Sequence, residues 1–358
     1  MHDRVLITGG AGFVGSNVAL AMKSRFPDLK ITAFDNLRRR GSELNLSRLA
    51  EAGVRFIHGD VRSSGDLLDL DENPDLIIEC SAEPSAQAGY AESPEYLIQT
   101  NLTGCFNCLE LARRVKASFL FLSTSRVYPI GLLNQLSYRE EEGRFALNEE
   151  QLLPGASHLG ISESFPLDGA RSLYGMSKLS AELMVTEYAD AYGLHCAIDR
   201  CGLIAGPWQM GKTDQGVVSL WMASHYFRQP LKYIGYGGTG KQVRDLLHID
   251  DLADLIIEQA SNMDRFAGSI FNVGGGLSGS ASLRELSVLC EQITGNRIHI
   301  DSCPTTRKAD VPIYVTDHRQ LTKFSGWKPL RSPEAILAGI FEWLRKNEPQ
   351  LRTRFTCS

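Results

Sequence analysis

No apolar run in this 358-residue chain is long enough to cross a bilayer, and no basic tail or block of like charge interrupts it. The 37 Lys and Arg are outnumbered by 42 Asp and Glu, for a formal net charge of −5. That balance leaves no electrostatic footprint for nucleic acid or an anionic membrane surface. The start, Met1-His2-Asp3-Arg4-Val5, enters a strand pattern at once. It lacks the apolar stretch and small-residue cleavage site of a secretion signal, so a cytoplasmic setting is expected. Paired cysteine spacing is missing as well. Eight cysteines stand at 80, 105, 108, 196, 201, 290, 303 and 357, and only Cys105 and Cys108 are close together. No second pair completes zinc-ligand spacing, and in a helical pattern a buried thiol packs as a small apolar residue. Reduced thiols and no metal are expected. Internal repeats and low-complexity tracts are also absent.

What is present is a globular composition, 43% hydrophobic and 22% charged, in a chain long enough for one large domain or two smaller ones. Short apolar runs at 5–8, 31–35, 54–57, 76–80, 119–123, 196–199 and 270–273 predict strands. Helical patterns such as 13–26, 94–115 and 174–192 lie between them. Strands alternating with helices imply an α/β fold built on a doubly wound, Rossmann-like parallel sheet, because parallel neighbours need a crossover. After Gly202 the pattern loosens, with helical segments at 215–227, 282–294 and 333–347 and glycine-rich turns at 235–240 and 274–276. The expected organisation is a dinucleotide-binding domain over 1–202 and a smaller, mainly substrate-binding region over 203–358, with 245–275 returning to the main sheet. The turn-rich segment 129–172 reads as an insertion in the first domain, either a lobe or a mobile flap.

The first strand runs into Thr8-Gly9-Gly10-Ala11-Gly12-Phe13-Val14-Gly15-Ser16 and then a helix. Gly9, Gly12 and Gly15 suit a tight turn, close backbone approach to a pyrophosphate, and close helix–sheet packing. The unpaired N–H groups at the helix start, around Phe13 and Val14, then receive the diphosphate. Asp35 closes the next strand roughly 20 residues on, where a carboxylate accepts hydrogen bonds from the adenosine ribose. It also repels a 2′-phosphate, so NAD is expected rather than NADP. Arg38, Arg39 and Arg40 read as solvated charge or, alternatively, as a phosphate contact. Asp60-Val61, after the third strand, is a candidate adenine contact or simply a turn.

Tyr174-Gly-Met-Ser-Lys178 opens a helical pattern, and i, i+4 spacing puts phenol and ammonium on one face. A cation beside a phenol favours the phenolate, so that Tyr174 can act as a general base. Alone, such a pair is usually a surface pair. Here it follows a dinucleotide fingerprint, and Ser123-Thr124-Ser125 closes an intervening strand, offering a hydroxyl at the sheet's carboxyl end.

With Asn101-Leu-Thr-Gly104, the segment 200–209 ending in Gly206-Pro207-Trp208-Gln209, Val243-Arg244-Asp245-Leu246-Leu247-His248, and Arg307 followed by Asp310, these motifs carry a resemblance over nearly the whole chain. The sequence resembles the extended, nucleotide-sugar-modifying branch of the short-chain dehydrogenases/reductases. Within that branch it is most similar to the CDP-paratose 2-epimerases, also called CDP-tyvelose epimerases. The finer likeness rests on Asp35-Asn36-Leu37-Arg38 continuing to Gly41, Asn45-Leu46, Thr213-Asp214-Gln215-Gly216 and Gly240-Lys241-Gln242-Val243-Arg244-Asp245.

The resemblance implies Thr124 as catalytic hydroxyl, Tyr174 as base, and Lys178 as cofactor contact and pKa setter, with Asn36 joining Asp35 at the cofactor. It implies Arg244 and Arg307 as a clamp on the substrate diphosphate, and Arg126, Gln209, Gln215, Lys241 and Asp310 as further substrate contacts. It also implies a homodimer or higher homo-oligomer through helices near 94–115 and 174–192, faces that could equally be buried within one subunit. The expected reaction is NAD-dependent inversion of a sugar hydroxyl through a keto intermediate, at carbon 2 of a CDP-hexose. The dehydratase relatives carry an Asp-Glu pair after the catalytic Thr, where this chain has Ser125-Arg126. Two further departures are Ser81-Ala82-Glu83-Pro84 in place of an Ala-rich cofactor loop, and Pro312 in place of an arginine after Asp310. Other readings are a UDP-sugar 4-epimerase with the same trio, a non-catalytic NAD-binding regulator, which would be expected to have lost Tyr174 or Lys178, and an NADP reductase, which Asp35 disfavours.

Overall fold

The computed structural model describes residues 2–90, 92–211 and 215–356. Thr213 and Asp214 of the family-like motif lie outside them. The chain groups into two compact units. The first comprises 1–127, 173–200 and 252–271, and the second 128–172, 201–251 and 272–358. The insertion thus falls in the second unit, whereas the sequence pattern places it in the first, and the segment returning to the first unit is 252–271.

The first unit is organised by seven strands: β1 (Arg4–Thr8), β2 (Lys30–Asp35), β3 (Arg55–His58), β4 (Leu76–Glu79), β5 (Ser118–Thr124), β6 (Cys196–Cys201) and β7 (Ser269–Val273). They lie in the order β7-β6-β5-β4-β1-β2-β3. The pairs β1–β2, β1–β4, β2–β3 and β4–β5 are parallel. Strands such as Leu76–Glu79 are buried along their whole length, as a sheet covered on both faces requires. The covering helices include α1 (Phe13–Arg25), α2 (Gly104–Val115) and α3 (Leu173–Tyr192). One core cluster joins Leu6, Phe34, Ile77, Phe119 and Phe121 of the strands to Cys105, Cys108, Ala181 and Val185 of the helices. Truncating a buried aromatic there, such as Phe121→Ala, costs about 3–5 kcal/mol. Cys105 and Cys108 are fully buried in this cluster, packing as small apolar side chains.

The order in which strands are added reverses at β1, which has β2 on one side and β4 on the other. Ligands of such sheets gather outside the carboxyl ends of the strands at this switch point. The residues delivered there by β1, β2, β4 and β5 are Thr8-Gly9, Asp35, Glu79-Cys80 and Thr124.

The second unit holds a four-stranded sheet of Leu203–Ala205, Val243–His248, Ser280–Ser282 and Ile313–Tyr314. Its helix Leu283–Thr294 starts with a reciprocal capping box between Ser282 and Glu285, and Pro333–Lys346 starts with Ser332 as cap and proline in the first turn. The insertion has structure of its own. Tyr138–Glu140 pairs with Phe145–Leu147, Ala156–Ser157 pairs with Gly160–Ile161, and a bridge joins Ile161 to Thr316. Tyr128 donates a hydrogen bond to Asn272 Oδ1 at 2.7 Å, fastening its entry. It is a lobe built into the second unit. Among the described residues, no helix is long and apolar enough to cross a membrane.

Candidate active site

The glycine loop has the geometry its spacing foretells. Gly9 has φ +62°, a left-handed conformation that glycine adopts without strain. A β-carbon there would lie 2.8 Å from the Cys80 carbonyl oxygen, and one at Gly15 would lie 2.4 Å from the Gly9 carbonyl oxygen. The loop closes with Gly12 N–H donating to Gly9 O at 2.9 Å. Helix α1 then begins with no capping side chain and no acidic residue in its first turn. The N–H groups of Phe13, Val14 and Gly15 therefore form an electropositive helix end that suits an anion.

Asp35 lies across this loop from β2. Its carboxylate accepts from the Leu37 N–H at 2.7 Å and the Ala11 N–H at 3.2 Å. Burial pushes its pKa up, and these N–H groups pull against that shift. Beside it, Asn36 donates to Asp60 Oδ2 at 2.9 Å. Arg62, chief among the causes, holds Asp60 down to about 2. Val61 is buried, and its methyl would sit 2.7 Å from a β-carbon at Gly104, which explains that glycine at the start of α2. Arg38 is exposed. Its guanidinium lies 3.9 Å from the Tyr96 ring centre, with Arg62 at 4.9 Å from the same ring. The uncapped helix start, the loop that only glycine fits and the Asp35 carboxylate together suit a dinucleotide.

The first unit also holds Thr124, Tyr174 and Lys178, with α3 packed against β5. Thr124 ends β5, is nearly buried, and accepts the Arg126 N–H at 3.2 Å. Tyr174 and Lys178 lie on the first turns of α3, 9% and 3% exposed. Lys178 donates to Leu122 O of β5 at 2.9 Å, lies 4.4 Å from the Phe121 ring centre, and is 3.6 Å from Glu79. Burial works against its ammonium, but Glu79 and then Tyr174 outweigh it, and Lys178 titrates above the ordinary lysine value.

The sequence assigned no role to several supporting residues. Glu79 closes β4, fully buried, and accepts a hydrogen bond from the Ser81 hydroxyl. Asn101, in a π-helical turn before α2, accepts the Glu83 N–H at 2.8 Å and donates to the Ser177 hydroxyl at 2.9 Å. It thereby fastens the loop after β4 to α3. Glu182, one turn beyond Lys178, is held by Arg200 at 2.7 Å and by the Ser123 hydroxyl. The residue types gave no warning because contacts such as Asn101 to Ser177, 76 residues apart, and Ser123 to Glu182, 59 apart, join segments distant in sequence.

The second unit holds the remaining candidates. Arg244 donates to Asp310 Oδ1 at 2.7 Å and to Val311 O at 2.7 Å. Lys241 is paired with Glu140 of the inserted lobe at 2.8 Å. Gln209 spends its amide on Ile204 O at 2.9 Å and the Ser219 hydroxyl at 3.0 Å, tying a loop to a helix. Arg307 is half-buried, with its carbonyl accepting the Asp310 N–H at 3.3 Å. Gln215 is half-buried where the described chain resumes, and Arg126, in the first unit, is half-buried after Thr124.

Comparison with known proteins agrees with this geometry. The profile of the NAD dependent epimerase/dehydratase family matches residues 5–274. The CDP-paratose 2-epimerase of Salmonella typhi is 32% identical over 353 residues, covering 95% of this chain and 98% of that one. The solved structure of Pal from Bacillus thuringiensis matches with a TM-score of 0.78 and 26% identity over 96% of this chain and 99% of that one. A dTDP-glucose 4,6-dehydratase from Streptomyces venezuelae, solved with NAD bound, matches with a TM-score of 0.75 and 26% identity over 97% and 98%.

Proposed function

The chain belongs to the NAD dependent epimerase/dehydratase family as an NAD-dependent isomerase, and from that premise we propose that it inverts carbon 2 of a CDP-hexose of the paratose/tyvelose type. The observation that supports the reading is that Thr124 ends β5 while Tyr174 and Lys178 lie on the first turns of α3, which packs on that strand, in the unit that also holds the glycine loop. The loop, the start of α1 and Asp35 hold NAD, with Asn36, Asp60 and Val61 on the adenosine side. When bound, NAD supplies a hydride acceptor and, once reduced, a donor, so inversion proceeds without net redox change.

The chain's own groups handle protons and position. Tyr174 takes the proton of the sugar hydroxyl at its phenolic oxygen and returns it when the carbonyl is reduced. Lys178, kept as an ammonium, favours the phenolate electrostatically. The Thr124 hydroxyl, at the end of β5, bridges the sugar oxygen and the phenol. Arg244 and Arg307 take the diphosphate, with Arg126, Gln209, Gln215, Lys241 and Asp310 shaping the rest of the substrate site. Binding energy from this remote part retains the keto sugar while it turns to present its other face.

Ser125 and Arg126 follow Thr124, so no acid pair stands there to eliminate water, and this separates the reading from 4,6-dehydration. The cytidine nucleotide and carbon 2 are supported by the 32% identical relative. The reading extends to a cytoplasmic homodimer, supported by exposed Phe106 on α2 and by Leu183 and Tyr192 on α3. Incubating the purified protein separately with CDP-, UDP- and dTDP-hexoses and resolving the products by NMR tests the proposal. Inversion at carbon 2 of the CDP-sugar is expected. Inversion at carbon 4 of a UDP-sugar, or water loss from a dTDP-sugar, refutes it.

A further inference from the structure

Two buried carboxylates stand beside the catalytic face of α3, and their surroundings differ. Glu182 is fully satisfied: Arg200 grips both of its oxygens at 2.7 to 3.1 Å and the Ser123 hydroxyl adds a third donor. Its charge is neutralised by a dedicated partner within the scaffold. Glu79 is different. One of its oxygens accepts from the Ser81 hydroxyl, but Oε2 has no hydrogen-bond partner. The only cation beside that oxygen among the described ion pairs is Lys178, 3.6 Å away, with 1% and 3% of the two side chains exposed.

Burying a charged carboxylate is costly unless a cation pairs with it, and a structural role would call for a close, hydrogen-bonded partner. We propose that Glu79 is a positioning residue: it is the buried counter-charge that keeps Lys178 an ammonium and anchors it beside Tyr174 at the carboxyl end of the sheet. The inference rests on the reading that Tyr174 and Lys178 perform the proton chemistry.

The groups facing Lys178 are few. From its own helix comes Tyr174, from the end of β4 come Glu79 and Cys80, and from α2 comes Cys105. From β5 come the Leu122 carbonyl and the Phe121 ring, both favourable to a cation but neither able to oppose burial with a full charge. The two thiols are themselves pushed well up by burial and stay neutral. Among these described groups, Glu79 is therefore the one that supplies a full negative charge while Tyr174 still carries its proton. Burial raises its own pKa, with Lys178 and then Ser81 pulling against that rise, so the pair is linked: whatever discharges the carboxylate weakens the ammonium.

Glu79→Gln keeps the shape and the acceptor for Ser81 but removes the charge, while Glu79→Asp keeps the charge on a shorter arm. The decisive readout is the titration of Lys178 itself, followed by NMR of protein labelled on lysine side chains and assigned by the signal lost in Lys178→Arg. In Glu79→Gln the Lys178 midpoint should move to lower pH, with Glu79→Asp between it and the wild type. The alkaline limb of the kcat profile on the nucleotide-sugar should move with it, giving about a tenfold greater loss at alkaline than at neutral pH. If Glu79→Gln does not fold, the Glu79→Asp titration carries the test alone. An unmoved Lys178 midpoint in a folded variant overturns the proposal. A moved midpoint in a protein inactive on every nucleotide-sugar upholds this inference and removes the proposed reaction. Normal inversion with an unshifted profile does the reverse.

Discussion

The two units of this chain hold their candidate cations in opposite ways. In the first, Lys178 is 3% exposed and its carboxylate partner 1% exposed, both locked between sheet and helix. In the second, Arg244 and Asp310 are 18% and 21% exposed, and Lys241 pairs with a Glu140 that is 60% exposed. A buried pair acts through a low dielectric and cannot change partner without leaving an uncompensated charge. A half-exposed pair is worth about 1 kcal/mol or less and exchanges readily for a better anion. The first arrangement suits a group that must hold one charge state through a reaction. The second suits groups that exchange a resident carboxylate for another anion, as the diphosphate contact proposed for Arg244 requires.

Substitutions that treat the two units alike test this contrast, and the largest effect is expected in the first. Tyr174→Phe should lower kcat by about 10²–10⁴-fold while bound NAD, measured after denaturing the purified protein, stays at the wild-type level. Near-normal turnover would remove Tyr174 from the chemistry. In the second unit Arg244→Ala should act on substrate capture, raising KM by roughly 10–100-fold with kcat within a fewfold of wild type. A fall in kcat with KM unchanged would place Arg244 on the chemical step and erase the contrast.

Each unit also buries an aspartate that burial pushes far up, and here the two differ only in degree. Burial, opposed by the hydrogen bond from Gln259, pushes Asp199 in the first unit up to about 7. Burial, opposed by Thr316 and backbone N–H groups, pushes Asp245 in the second up to about 6. Both folded values exceed the ordinary 3.8. Below about pH 4 both states are protonated and burial costs no ionisation. As pH rises toward 7 the unfolded chain ionises first and binds fewer protons, so stability falls, with the full loss present above the folded pKa. Asp199→Asn should therefore flatten this fall and raise unfolding free energy at pH 8 by up to about 4 kcal/mol, read by urea denaturation across pH. Asp245→Asn should do the same on a smaller scale, up to about 3 kcal/mol. Equal stability at pH 5 and pH 8 in the wild type would contradict both.

Legibility followed sequence distance. All seven strands of the main sheet, the glycine loop and the Tyr174–Lys178 pair could be read because each is set by neighbours a few residues apart: an apolar run, a turn, one helical repeat. Asp35 was readable because the next strand places it. Glu79, Ser81 and Asn101 were not singled out for what they do, since their roles exist only once β4, β5, α2 and α3 are packed. The inserted lobe illustrates the same point. Its segments look like a long turn-rich stretch, and the order comes from distant partners: Lys241 to Glu140, 101 residues apart, and Tyr128 to Asn272, 144 apart. Arg38 is exposed, as a solvated charge would be, and its contact with Tyr96, far along the chain, could not be read from the sequence.

The most direct test of the proposed chemistry follows the hydrogen on the carbon that inverts. A nucleotide-sugar carrying deuterium at that carbon is converted in ordinary water, and the product is examined by NMR. Hydride removal and return within the protein predicts that the label stays on the inverted carbon. Replacement of that deuterium by solvent hydrogen would mean inversion by proton exchange, and the roles assigned to Tyr174, Lys178 and NAD would be wrong.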